Sequence, residues 1–101
     1  ETVKPLGEKS QIYYMSDGKN IYIQRGFYMD GIIENANIKK FEILENGYSK
    51  DNKKVYYLSK ELKNFDIKTF RSYPEMIKSS VEYNAKDKNN YYRDGRIVKL
   101  K

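Results

Sequence analysis

Three aspartates, Asp17, Asp51 and Asp87, each stand in a short Asp/Asn/Gly/Lys-rich run between stretches of β-forming residues. Repeated acidic loops of this kind could hold a calcium ion, but such a site needs several oxygens converging from alternate positions. Here Lys53, Lys54 and Lys88 follow the aspartates and would repel a cation. The better reading is structural: an aspartate opening a tight turn accepts a hydrogen bond from the backbone two residues on, while Gly or Asn tolerates the left-handed conformations that follow. No metal site is expected. Paired carboxylates for acid–base catalysis are also lacking, because the 14 acidic residues are scattered singly among lysines. The chain has no Cys and no His, which removes thiolate chemistry, the common metal ligands and the usual general base near neutral pH. No phosphate-binding glycine loop or nucleophile elbow is present. No catalytic residues and no cofactor are assigned, and a non-enzyme is expected.

The residues with binding chemistry are tyrosines and lysines. Tyr56 and Tyr57, and Tyr91 and Tyr92, are adjacent pairs in strand-like runs, where neighbours point to opposite faces. One of each pair is expected in the core and the other outside. An outward tyrosine row beside Lys53 and Lys54 could stack on sugar rings or bases. The competing account is that the tyrosines form cross-strand pairs that stabilise the sheet, and this account is the favoured one.

Nucleic-acid binding is argued for by Lys39, Lys40, Lys53, Lys54 and the Lys60 to Lys63 run, all interleaved with aromatics. It is argued against by the presence of only four arginines, the residue that grips phosphate and guanine in bidentate fashion. The net charge of +6 suits an anionic partner. Yet Lys, Asn, Tyr and Ile make up 46 of the 101 residues and all have A/T-rich codons, so genome composition alone can account for the lysine excess.

The elements that carry these residues recur. The run from Tyr14 through Asp17 to Ile23 aligns without gaps on the run from Tyr48 through Asp51 to Tyr57, a period of 34. A third copy runs from Tyr83 through Asp87 to Tyr92, read with one residue more before its aspartate and one fewer after it. Between the copies, Asn37-Ile38-Lys39-Lys40-Phe41 matches Asp66-Ile67-Lys68-Thr69-Phe70. Asn37 and Asp66 can cap short helical turns, with Phe41 and Phe70 plugging the core between adjacent hairpins.

Strand, turn and strand are expected in each copy, with further hairpin turns at Asp30-Gly31, Asn46-Gly47 and Asp94-Gly95. The expected strands are 11–15, 20–24, 26–29, 32–35, 41–44, 48–50, 55–58, 83–86, 90–93 and 96–100. The exception lies within 66–80, where Tyr73, Pro74 and Glu75 read as the start of a short helix. The fold class is therefore mainly β, an antiparallel meander of hairpin repeats with one short helical segment. Residues 1–10 read as an N-terminal extension. Residues 11–101 form a single repeat domain with units of about 12–47, 48–82 and 83–101. At this size a chain buries roughly two-thirds of its unfolded surface, and the 11 Tyr and 4 Phe supply the core material.

The Asp87, Lys88, Asn89, Asn90, Tyr91, Tyr92 run, the Asp51 to Tyr57 run and the Asp66-x-x-Thr69-Phe70 segment together resemble the bacterial DKNYY repeat family, over about residues 13–100. The first copy departs from that pattern in having Gly18 and a single Tyr22, with extra residues around Phe27 to Gly31. The resemblance implies tandem repeats in bacterial proteins that often carry export or lipoprotein signals, and it brings no catalytic residues.

No stretch approaches the roughly 18 apolar residues of a membrane-spanning helix. The start at Glu1, without Met, suggests a processed chain, so a lipid anchor or signal outside it is compatible. The leading expectation is a non-catalytic repeat module of the cell envelope, outside the cytoplasm, that binds a protein or a surface polymer. The alternatives are a small basic immunity-type inhibitor that neutralises a partner, and a nucleic-acid binder. Unpaired sheet edges leave room for a dimer.

Overall fold

The computed structural model describes residues 3–99. Among them, twelve strands form three four-stranded antiparallel sheets. The first contains β1 (Lys4–Lys9), β2 (Ile12–Ser16), β3 (Asn20–Arg25) and β4 (Tyr28–Glu34). The second contains β5 (Glu42–Ile43), β6 (Tyr48–Lys50), β7 (Val55–Tyr57) and β8 (Lys60–Glu61), and the third β9 (Arg71–Lys78), β10 (Glu82–Lys86), β11 (Tyr91–Arg93) and β12 (Arg96–Val98). Each sheet is a plain meander, as dipeptide turns between short β-forming runs require. The three stack along an axis into a body measuring 49 × 28 × 15 Å, a quasi-one-dimensional repeat array.

The central hairpins are in identical register. Counting from the turn aspartate, residue −1 faces +4 and residue −2 faces +5 in every copy: Ser16 opposite Ile21 and Met15 opposite Tyr22, Lys50 opposite Val55 and Ser49 opposite Tyr56, Lys86 opposite Tyr91 and Ala85 opposite Tyr92. The third copy therefore aligns without gaps. Asn84, not Tyr83, holds the place of Tyr14 and Tyr48, and all three of these side chains are fully buried. Tyr91 takes the place of Ile21 and Val55.

Two cores lie between the three sheets. The inner face of the first sheet, Ile12, Tyr14, Ile21, Ile23 and Ile33, packs with Tyr56 of the second sheet and with Ile38 and Phe41 of the connecting segment. In the second core Tyr48, Val55 and Leu62 pack with Ala85 and Tyr92 of the third sheet and with Phe70 and Ile67 of the next connector. Each connector phenylalanine seals a junction. Phe41 lies 5.8 Å from Tyr14, and Phe70 lies 5.6 Å from Tyr48 and 5.3 Å from Tyr92, measured between ring centroids.

The structure corrects several expectations. Residues 66–80 hold no helix. Arg71–Lys78 is an edge strand, and Pro74 falls where the pairing skips from Ser72 opposite Ala85 to Ile77 opposite Tyr83. An edge bulge tolerates a residue without an N–H. The short helical turn expected after Asn37 does form, a 3-10 turn over Ile38–Lys40 capped by the Asn37 side chain. Asp30-Gly31 is not a hairpin turn either. These residues sit inside β4 at a register shift, the chain reverses at Gly26 and Phe27, and the Asp30 carboxylate is held by Arg25 at 2.8 Å. Residues 4–9, read as part of an extension, form β1, which pairs along β2 and places Leu6 in the first core.

Candidate functional site

The turn aspartates organise the repeats. In each copy one carboxylate oxygen of the aspartate accepts the amides two and three residues on: Lys19 and Asn20 for Asp17, Lys53 and Lys54 for Asp51, Asn89 and Asn90 for Asp87, all at 2.8–2.9 Å. The other oxygen accepts the hydroxyl of the tyrosine at +5, which is Tyr22 at 2.7 Å, Tyr56 at 3.4 Å and Tyr92 at 2.8 Å. For Asp51 and Asp87 that oxygen also accepts a connector amide, from Asn37 at 2.9 Å and Asp66 at 2.7 Å. The aspartate therefore ties its own turn, its own second strand and the preceding connector together.

These donors stabilise the ionised form. The Asn20 amide first, then the Tyr22 hydroxyl and the Lys19 amide, hold Asp17 down at about 2. Burial works against ionisation of Asp51 and Asp87, but their amide and tyrosine donors outweigh it and keep both below the usual carboxylate range.

Four of the tyrosines and lysines proposed as a binding row are engaged within the fold. Tyr56 and Tyr92 are buried, 3% and 1% exposed, with their hydroxyls on the turn aspartates. They serve the junctions between sheets and cannot stack on a ligand. Tyr57 is half-buried against Tyr48, with its ring 5.0 Å away and its hydroxyl directed at Asp94. Lys54 pairs with Glu61 at 3.4 Å. Lys53 is exposed at a turn tip, and Tyr91 is half-exposed.

The outward aromatic row exists, but elsewhere. Tyr73, Tyr83 and Tyr91 of the third sheet form a ladder, with centroids 6.0 Å apart between the first two and 4.5 Å between the last two. Of its members only Tyr91 was singled out from sequence. Sequence hides Tyr73 because its stretch reads as helical, and Tyr83 because it reads as aligned with the buried Tyr48.

A second exposed surface lies on the first sheet. Its β3–β4 hairpin has a six-residue β3, against three residues each for β7 and β11. The tip carries Phe27, Tyr28 and Met29 at 99%, 79% and 59% exposure. Tyr13 and Ile32 of the same sheet are exposed as well. The extra residues around Phe27 to Gly31 were the sequence signal for it.

Comparison with known families gives one result: the model of the DKNYY family matches residues 8–96, spanning all three sheets. No curated protein and no solved structure matches the chain.

Proposed function

The chain belongs to the DKNYY family, and from that premise we propose that it is a non-catalytic repeat module of the bacterial cell envelope that binds another protein through the hairpin tip of its first sheet. The observation that carries this is the run Phe27, Tyr28, Met29, three consecutive apolar side chains held in solvent. Three large apolar side chains exposed together at one hairpin tip are unfavourable in water unless they are covered in use. Aromatic and methionine side chains are also the types enriched where protein interfaces bury their centres. The rest of the array supports the tip as a rigid mount, since β3 and β4 are anchored below it by Ile21, Ile23 and Ile33 in the first core. The envelope placement rests on the family resemblance.

A photo-crosslinking residue at position 27, expressed in the natural host, tests both parts. A single adduct found in the envelope fraction and lost with Tyr28→Ser supports the proposal. Absence of any adduct removes the tip as a docking site, and adducts only to cytoplasmic proteins remove the envelope placement.

A further inference from the structure

The third sheet carries a feature independent of that hairpin. In every copy, the first strand of the sheet, residue −1 and residue +4 lie side by side in one cross-strand row, with side chains on one face. In the second sheet this row is Glu42, Lys50 and Val55, an acid opposite a base. In the third it is Arg71, Lys86 and Tyr91, two cations opposite each other. Like charges directly opposed across strands are destabilising. No acid relieves them: among the described residues the ion pairs join Lys9 to Glu45, Arg25 to Asp30, Lys54 to Glu61 and Arg93 to Glu82.

Arg71, Lys86 and Tyr91 line an open concavity of about 450 Å³, together with Lys88, Asn89 and Asp87. That volume is within the range of small-ligand sites. Asp87 is the one carboxylate there, and both its oxygens are occupied by the Asn89, Asn90 and Asp66 amides and the Tyr92 hydroxyl. The concavity thus gathers three cationic side chains, a half-exposed ring fixed from behind by Tyr83, and the Asn89 side-chain amide.

We propose that this concavity is a binding site for an acidic sugar polymer, with Arg71, Lys86 and Lys88 holding its anionic group and Tyr91 stacking on the adjacent sugar ring. Arginine and lysine on opposed strands can take one carboxylate or phosphate between them, the arginine fork giving direction and the lysine a point charge. Nucleic acid fits less well. Successive bases need a series of parallel ring faces, whereas the rings of this ladder lie at 45° and 75° to one another.

The test is an NMR titration of the full chain with trigalacturonate, mannose 6-phosphate, neutral galactotriose and a thymidine oligonucleotide. Saturable shifts of the amides of Thr69, Arg71 and Lys86 to Tyr91 are expected with the galacturonate or the phosphate, and their relative affinity tells which anion is preferred. Arg71→Gln and Lys86→Gln, both on the solvent side of the sheet, should each weaken binding about tenfold, and Tyr91→Leu should weaken it with the far-ultraviolet spectrum unchanged. Equal binding of galactotriose, tighter binding of the oligonucleotide through the same residues, or no saturable shift with any ligand would each overturn the proposal.

Discussion

The hydroxyl of Tyr48 donates to Oδ1 of Asn84 at 2.7 Å, and the two residues hold the same position in successive repeats. A tyrosine in one unit is matched by an asparagine in the next, and the asparagine serves as the tyrosine's partner. Around this bond the Gly95 amide donates to the Tyr48 hydroxyl at 3.0 Å, and Asn84 exchanges two bonds with Asp94, at 2.9 and 3.1 Å. The second junction is thereby locked by a buried polar node. The first junction has no such lock, since the hydroxyl of Tyr14 is buried without a partner.

Removing the Tyr48 hydroxyl or the Asn84 amide leaves buried groups of this node without their partners. Tyr48→Phe is expected to cost about 1–3 kcal/mol, because the Gly95 amide loses its acceptor. Asn84→Ala should cost a similar amount. In a urea-unfolding double-mutant cycle the double variant should be less destabilised than the sum of the two. Additive losses would show that the node is not a unit.

Gly95 should be intolerant of a side chain. Its φ is +81°, and an added Cβ would lie 2.8 Å from Cβ of Tyr57, so Gly95→Ala combines backbone strain with a clash against a core residue. A loss of about 2 kcal/mol or more is expected. Gly18→Ala is the control, with φ +94° and open space around the added carbon, so only strain of about 1 kcal/mol remains. Equal melting points for the two variants would refute the packing account.

Stability should fall in acid in a defined window. The folded Asp17, Asp51 and Asp87 ionise below their ordinary range, so the fold favours their charged forms. Their contribution is complete above the unfolded value of about 4 and is lost as the pH drops through the lowered values, which for Asp17 is about 2. Thermal midpoints should be level from neutral pH down to about 5 and then decline. A variant with all three aspartates changed to Asn should melt lower at pH 7 and show a shallower acid decline.

The alkaline limb has the opposite sign. Burial first, then the nearby Asp30 carboxylate, pushes Tyr14 up to about 12, and burial raises Tyr48, Tyr56 and Tyr92 as well. The fold therefore favours the neutral phenols. That stabilisation is present below the ordinary value of about 10 and is lost as the pH rises through the raised values. Absorbance of phenolate should rise in two stages, the second coinciding with loss of the near-ultraviolet circular dichroism. A single early stage would place these hydroxyls in solvent.

Phe70 and Phe27 separate stability from binding. Phe70 is 5% exposed between Tyr48 and Tyr92, so Phe70→Ala should cost about 3–5 kcal/mol. Phe27 is 99% exposed, and Phe27→Ser should leave the unfolding free energy within about 0.5 kcal/mol of the parent while abolishing capture by the partner.

Local chemistry made much of this readable from residues alone. An aspartate that bonds its own amides two and three residues on needs nothing beyond its neighbours, so Asp17, Asp51 and Asp87 could be identified as turn residues, and Asn46-Gly47 and Asp94-Gly95 as hairpin turns. The connector motif likewise announced the capped 3-10 turn at Asn37 and the plugging roles of Phe41 and Phe70. Asp30-Gly31 misled because the same dipeptide also suits a bulge, and the Arg25 contact across the hairpin decides between them. Tyr73-Pro74-Glu75 misled because a helix start and a bulged edge strand share these residues, and only pairing with β10 chooses.

The sequence by itself determined the repeat, its turns and its β character, because these follow from bonds made within a few residues. The tertiary structure alone decided which tyrosines are buried. Tyr56 and Tyr92 vanish into junctions because the preceding sheet packs against them, while Tyr91, in the place of the buried Val55, stays half-exposed on the outer face of the last sheet. Burial in a stacked array is a property of the neighbour, and a residue's own strand carries no record of it.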